Sequence, residues 1–334
     1  MQEAMLWVKE GKDIRCELCA RRCLIPEGKT GFCKVRINKK GVLYTKNFGK
    51  IVSMAVEPIE KKPLFHFYPG SQTLSIASFG CNFRCKFCIN WELSQRERVE
   101  YKSYTPEDIV RIANEKGVKI IAYTYTEPTI FFEFAYRVCR LAKRYNIKNV
   151  FVTNGYMTSE AIKKIGKYLD AATVDFKASG NPEFYKKYME VPSVEPIFET
   201  LKNFKKHRIF TEISNLIIPG IGESREDNRK LVEWIMEELG SSVPYHLIAF
   251  FPSYQMMEIP STPLETLEKL ALDAQDVGMR YVYIGNVWGS KFENTYCYNC
   301  GYPVIERTGI FVNNINLSKD RCPNCGFKIN VIRE

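Results

Sequence analysis

Three cysteines stand in the run Gly80-Cys81-Asn82-Phe83-Arg84-Cys85-Lys86-Phe87-Cys88, spaced C-x3-C-x2-C. Three thiolates on one short loop can hold three corners of a cubane iron–sulfur cluster and leave the fourth iron without a protein ligand. An iron with an open position is a reaction site. The competing reading is half of a zinc knuckle, or a set of buried unreactive thiols. Zinc prefers four ligands in paired C-x2-C units, and this run has no fourth cysteine beside it.

Eight more cysteines form two groups of four. Cys297 and Cys300 make one C-x2-C pair, Cys322 and Cys325 another, and each pair is followed by glycine. Two such knuckles bring four thiolates into a tetrahedron, as in zinc ribbons and rubredoxins. Zinc is expected there because nothing in the segment demands electron transfer, although the same sulfurs accept iron. Near the amino end, Cys16, Cys19, Cys23 and Cys33 are four further candidate ligands. Zinc, a second iron–sulfur cluster and free thiols all stay open for them. A metal is favoured, because four cysteines this close seldom serve packing alone. Cys139 stands alone in a predicted helix and reads as a core residue.

The elements that must position these groups follow a regular alternation. Residues 73–79 read as a strand running into the three-cysteine loop. A helix is expected over 105–116, where Thr105 can cap, Pro106 suits the first turn, and Glu107 and Asp108 favour the amino end. Then come a strand over 119–125, a helix over 129–145, a strand over 149–153, a helix over 158–168 and a strand over 171–176. Strands near 210–218, 245–250 and 280–284 complete the set. Apolar strands alternating with helices imply a parallel sheet covered by helices. The expected fold class is α/β, a partial (β/α) TIM-type barrel over residues 71–295. A small Cys-rich segment (1–70) precedes it and a zinc-ribbon or rubredoxin-like module (296–334) follows. Such a barrel carries its chemistry at the carboxyl ends of its strands. Glu127 closes the second strand. Asp175 and Lys177, two apart at the end of the fourth, should point to one face of the sheet. A buried ion pair is the bland alternative for them. His246 lies in a predicted strand, as a cofactor contact or a satisfied core histidine.

At 334 residues with 45% hydrophobic content, the chain can bury a large core. No stretch approaches the roughly 18 apolar residues of a membrane span. Residues 1–12 have no apolar block that would serve as a secretory signal, so a cytoplasmic location is expected. The clustering of cysteines also favours a reducing compartment over disulfides. The net charge of +10 is spread in short lysine pairs with glutamates between them. This reads as a solvated, ion-pair-rich surface rather than a nucleic-acid stripe, and nucleic acid is not an expected partner. A basic face can still help dock an acidic electron donor.

The three-cysteine run, with the aromatic Phe87 before its third cysteine, resembles the signature of the radical S-adenosylmethionine (radical SAM) enzymes. The resemblance implies a [4Fe-4S] cluster on Cys81, Cys85 and Cys88 whose open iron chelates S-adenosylmethionine. The cluster would donate one electron to the sulfonium, and the resulting 5'-deoxyadenosyl radical would take a hydrogen atom from the substrate. It further implies cofactor contacts by Phe87 with the adenine, by Glu127 and Asp175 with the methionine ammonium, and by Lys177 with its carboxylate. At Glu127 the family's Gly-Gly-Glu element is altered, with Tyr125 and Thr126 in place of the glycines. Thr153-Asn154-Gly155 resembles the family's Thr-Asn-Gly turn, and the run from Asn215 to Gly220 its fifth-strand element; both are ordinary turn chemistry as well.

The segments Cys16-Glu-Leu-Cys19, Gly28-Lys-Thr-Gly31-Phe-Cys33, Pro58 to Gly70, Cys81 to Ser94, Tyr123 to Pro128 and Tyr281 to Val287 resemble the AmmeMemoRadiSam-system radical enzymes, relatives of pyruvate formate-lyase activating enzyme. This resemblance covers nearly the whole chain. Two positions depart from the branch: Ile89 where glutamine is common, and Phe251 where histidine is expected. The resemblance to activating enzymes implies hydrogen abstraction of the glycyl-radical-activating kind on a protein substrate, with a ferredoxin- or flavodoxin-like electron donor; the branch itself pulls the other way, since its members are grouped apart from the formate-lyase activators. Radical modification of a small molecule or an RNA is the alternative. A non-enzymatic metal- and nucleic-acid-binding protein is the competing class.

Overall fold

The computed structural model describes residues 1–96 and 98–333. Its centre is one eight-stranded sheet. In chain order the strands are β1 (Ser53–Pro58), β2 (Gln72–Ala77), β3 (Ile120–Tyr123), β4 (Lys148–Thr153), β5 (Ala171–Lys177), β6 (Phe210–Ile217), β7 (Tyr245–Ala249) and β8 (Val282–Gly285). They lie side by side in that order. β2 to β8 are parallel neighbours, while β1 pairs antiparallel with β2. The seven parallel strands are those expected from the alternation. β1, which has no helix before it to reveal it, comes from the expected amino-terminal segment. The sheet runs from β8 to β1 without pairing of these two edges, which makes the barrel partial.

Helices α1 (Pro106–Glu115), α2 (Phe132–Arg144), α3 (Ser159–Ile165), α4 (Pro182–Met189), α5 (Glu195–Lys206), α6 (Arg225–Glu238) and α7 (Leu264–Val277) cover the sheet. Local chemistry starts them where the sequence predicts. Thr105 and Asp108 form a reciprocal capping box on α1, and the Thr158 hydroxyl accepts the Ala161 N–H at the head of α3. The inner faces of these helices and the helix-facing side chains of the strands form one continuous core, which also takes in Ala4, Ile14, Leu18 and Leu43 of the amino-terminal segment.

The amino ends of the strands are closed by a plug made of residues 59–70. Ile59, Leu64 and Phe67 pack on Ile120, Ala122, Val150 and Ala171. The carboxyl-terminal strands Thr295–Tyr296, Pro303–Thr308 and Phe311–Ile315 form a small sheet against this plug. Phe67 bridges to Ile332, and the Ile332 N–H donates to the His66 carbonyl at 2.7 Å. The plug fills the barrel interior at this end, and the strands finish at the opposite end. Among the described residues, no helix is long and apolar enough to cross a membrane.

Candidate active site

β2 ends at Ala77, and the chain turns through Gly80 into the three-cysteine loop. Gly80 has φ +96°, and a Cβ there would lie 2.7 Å from Val35 Cγ1 and 3.1 Å from the Cys33 carbonyl oxygen. Only glycine meets both the backbone angle and the close approach. The loop is then pinned through its backbone. Arg84 N–H donates to the Met189 carbonyl at 3.0 Å, Lys86 N–H to that of Tyr188 at 2.9 Å, and the Gln95 amide to that of Cys85 at 3.0 Å. Arg84 Nη1 reaches back to the carbonyls of Cys81 and Phe83 at 2.9 and 2.8 Å.

Cys81, Cys85 and Cys88 are all half-buried free thiols. Burial pushes the Cys81 thiol up to about 12 and Cys85 well above its ordinary value, and the neighbouring thiols add to the shift at Cys85. Cys81 and Cys85 are therefore protonated at neutral pH, and loading a metal there must release protons. Their spacing suits a cube. Among the described residues the four carboxyl-terminal cysteines bring their ligand atoms within 4.8 Å of one another, and the three loop cysteines do not form such a group. A three-thiolate loop open on one side fits three corners of an iron–sulfur cube better than one small tetrahedral ion.

Asp175 and Lys177 end β5 beside this loop. Lys177 Nζ lies 3.5 Å from Asp175 Oδ2, both side chains remain partly open to solvent, and Ser214 of β6 donates a hydrogen bond to the Asp175 carboxylate. The Lys177 charge acts on the Cys85 thiol and opposes the upward push of burial, which places the ammonium near the cysteines.

Other expected contacts are deployed differently. Glu127 is buried, and its carboxylate accepts the Thr129 N–H and hydroxyl, the Thr153 hydroxyl at 2.8 Å and the Asn154 N–H at 2.8 Å. Burial raises its pKa, and these donors oppose the rise. The group is occupied by the protein itself and serves as a joint between β3 and β4. Tyr125, which replaces a family glycine, still adopts the left-handed φ of +63° that glycine takes freely. Asn154 Nδ2 donates to Asn82 Oδ1 at 2.7 Å, so it grips the cysteine loop. Phe87 is buried in the wall, with its ring 5.8 Å from that of Phe184.

Two residues lie away from the mouth. Asn215 points into the helix layer, where Ser179 N–H donates to its Oδ1 at 2.9 Å and its Nδ2 donates to Ser179 Oγ at 3.0 Å and Tyr245 Oη at 2.8 Å. It is held there because its strand neighbour Ser214 takes the inner face opposite Asp175. His246 is fully buried over the plug, 2.8 Å from Glu212, with its ring stacked on Tyr283. Glu212 also accepts the N–H groups of Phe65 and His66. The plug, which the strand alternation does not reveal, draws His246 into a structural network.

The carboxyl-terminal cysteines form a separate cage. Cys297 and Cys325 Sγ lie 3.6 Å apart, Cys300 and Cys322 Sγ 3.7 Å, and all four sulfurs fall within 4.8 Å of one another. Gly301 and Gly326, at φ +73° and +74°, close the two knuckles. The Asn324 amide donates to Cys300 Sγ at 3.4 Å, and this bond is the main cause of a Cys300 pKa lowered to about 6. Sulfurs this close fit one tetrahedral ion with metal–sulfur bonds of about 2.3 Å.

Residues 75–235, which span β2 to α6, match the family model described as the Radical SAM superfamily. The chain belongs to the radical SAM superfamily. An uncharacterized protein of Methanocaldococcus jannaschii is 44% identical over 338 residues, 99% of this chain and 100% of the relative. A putative glycyl-radical enzyme activating enzyme of the same organism is 25% identical over 179 residues, 50% of this chain and 70% of its own length. Among solved structures, a radical SAM methyltransferase from Sphaerobacter thermophilus superposes with a TM-score of 0.52 at 16% identity, covering 66% of this chain and 68% of its own. That likeness is one of fold.

For a radical SAM protein the deciding feature is a three-cysteine loop at the open end of a partial barrel, which the geometry above supplies. The residue that sequence reasoning passes over is Asn82. It stands at an unspecified position of the C-x3-C spacing and is fully buried, and only the fold brings Asn154 and Arg21 to it.

Proposed function

We propose that this protein is a radical SAM enzyme that removes a hydrogen atom from a glycyl residue of a partner protein. The observation that carries the reading is the juxtaposition of three half-buried thiols on one pinned loop with the partly open Asp175–Lys177 pair. When bound, a [4Fe-4S] cluster and S-adenosylmethionine supply one-electron cleavage that yields a 5'-deoxyadenosyl radical. Cys81, Cys85 and Cys88 would hold the cluster.

The chain's own residues do the rest. Lys177 and Asp175 offer one cation and one anion to a zwitterion, and Ser214 holds the Asp175 carboxylate in place. A bound amino acid moiety would replace their mutual contact with two charge-assisted bonds. Glu127, Asn154 and Asn82 form a hydrogen-bonded chain that keeps the cysteine loop in position. Phe87 and Phe184 supply an apolar wall.

A protein substrate is favoured by the rim. Ile89, Phe251, Met257 and Trp288 are exposed, and they sit on loops that follow β2, β7 and β8 at the open end. We read these side chains as parts of one rim that a partner macromolecule covers, since contiguous exposed apolar surface marks such sites, and such cover would also keep water and side reactions from a radical. The relative described as a putative glycyl-radical enzyme activating enzyme supports the same choice. The net charge of +10 suits docking of an acidic ferredoxin- or flavodoxin-like electron donor. Zinc is assigned to the four carboxyl-terminal cysteines. Twelve free cysteines fit a reducing compartment such as the cytoplasm.

The test is anaerobic reconstitution with iron and sulfide, followed by reductant and S-adenosylmethionine. Formation of 5'-deoxyadenosine, and a glycyl-radical doublet in electron paramagnetic resonance on a co-encoded partner, are the expected results. A modified small molecule with no protein radical would overturn the choice of substrate. An intact cluster that yields no 5'-deoxyadenosine would overturn the reading as a whole.

A further inference from the structure

The amino-terminal cysteines are one of two four-cysteine groups that the proposed reaction does not use. Cys16, Cys19, Cys23 and Cys33 line one narrow pocket together with Arg36 and Asn82. The fold has gathered them from separate turns: Cys16 ends the strand Asp13–Cys16, Cys19 bridges to Met157, and Cys33 follows the tight turn at Gly31. Gly31 permits the approach, since a Cβ there would stand 3.1 Å from Ile25 Cδ1 and 3.6 Å from Cys23 Sγ.

Two observations point to an anionic occupant. Arg36 and Asn82 are both fully buried, yet Arg36 Nε and Asn82 Nδ2 have no hydrogen-bond partner within the protein. A buried donor left unpaired costs about 1–3 kcal/mol, so each calls for an acceptor. Arg36 Nη1 already approaches Cys16 Sγ at 3.8 Å. Backbone amides also face the sulfurs: Leu18 faces Cys16, Arg21 faces Cys19, and Val35 and Arg36 face Cys33. Amide donors of this kind stabilise metal-bound thiolates and the sulfides of a cluster.

Spacing selects the occupant. The carboxyl-terminal cage brings its sulfurs within 4.8 Å of one another, with two pairs at 3.6 and 3.7 Å, close to the spacing of a single tetrahedral ion; among the described residues the amino-terminal four do not form such a group. In this respect they behave like the Cys81, Cys85, Cys88 loop, whose fit is to a cube.

We propose that Cys16, Cys19, Cys23 and Cys33 hold a second [4Fe-4S] cluster with all four corners occupied, whose sulfurs accept the free N–H groups of Arg36 and Asn82. With no open iron, such a cube exchanges electrons and binds no substrate. Asn82 lies between the two sites: it lines this pocket and is bonded through the backbone to Cys81. The assignment does not depend on the reaction proposed above.

The experiment is iron and acid-labile sulfide analysis of anaerobically reconstituted full-length protein, with Mössbauer spectroscopy. The wild type should carry about eight irons and eight sulfides per chain, and the Cys81→Ser/Cys85→Ser/Cys88→Ser variant about four of each as an intact cube. Wild type with only about four sulfides, all lost in that variant, overturns the proposal while leaving the first cluster standing. So does native mass spectrometry that finds about two zinc ions per chain rather than one. In the triple-serine background, Asn82→Leu removes one donor without touching a ligand and should make the surviving cube's reduction potential more negative. An unmoved potential overturns the role of Asn82.

Discussion

Asn154 Nδ2 donates a 2.7 Å hydrogen bond to Asn82 Oδ1, tying the turn after β4 to the interior of the three-cysteine loop. Glu127 fixes the other end of this tie by accepting the Asn154 N–H. A carboxylate and two amides thus transmit the positions of two barrel strands to the loop that must hold its sulfurs at a set spacing.

Replacing Asn154 with leucine removes that tie without altering a thiol. Supporting bonds around a metal site are typically worth roughly 10- to 100-fold in affinity or activity. Asn154→Leu should lose iron on desalting and form 5'-deoxyadenosine more slowly by a factor in that range. Unchanged iron retention together with unchanged turnover would show that the tie is ornamental.

Lys177→Met keeps the length of the side chain and removes its charge. A hydrogen bond to a charged group is worth about 1.5–3 kcal/mol, so S-adenosylmethionine should bind roughly 10- to 100-fold more weakly. Anaerobic equilibrium dialysis on the cluster-loaded protein measures this. Equal affinity in wild type and variant would remove Lys177 from the cofactor site.

Gly80→Ala forces a methyl group against Val35 and the Cys33 carbonyl at a left-handed backbone angle. The expected cost is about 1–3 kcal/mol of unfolding free energy. The double variant Gly80→Ala/Val35→Ala should be more stable than the sum of the two single losses predicts, because the nearer clash is relieved. Strict additivity in denaturant titrations would rule out the contact as the cause.

The plug carries a pH signature. His66 is fully buried, with its ring nitrogens 2.7 Å from the Asn330 carbonyl and 2.6 Å from the Tyr283 hydroxyl, and burial lowers its pKa to about 4. Below the ordinary value of 6.5 the unfolded chain takes up a proton that the folded one refuses. Stability present above pH 6.5 therefore falls as the pH drops and is lost by about pH 4, a contribution of about 3 kcal/mol. Glu60, which burial pushes up to about 7, acts in the opposite sense: its ionisation costs stability as the pH rises from 4.5 to 7. The difference between proteins is therefore the informative quantity. Relative to His66→Gln, wild type should lose melting temperature as the pH falls from 6.5 to 4, and parallel curves would refute the assignment.

Much of this protein is local in origin. Apolar runs of strand length, helix caps such as Thr105 and the C-x3-C-x2-C spacing depend on neighbours within a few residues. From these alone follow the seven parallel strands, their helices, the cluster loop and the two knuckles that close over the carboxyl-terminal site. Asp175 and Lys177 share a face because strand side chains alternate, which is again a short-range rule.

What each buried polar group does was decided by partners far away in the chain. Glu127 is saturated because β4 brings Thr153 and Asn154 to it, and His246 meets Glu212 because residues 59–70 turn back under the barrel. Asn215 bonds to the helix layer, and Ser53–Pro58 becomes an eighth strand only by pairing with β2. The unpaired donors of Arg36 and Asn82 meet around four cysteines for the same reason. A buried polar side chain takes whatever partner the packed fold supplies, since leaving it unpaired is costly, and that partner is rarely its neighbour in sequence.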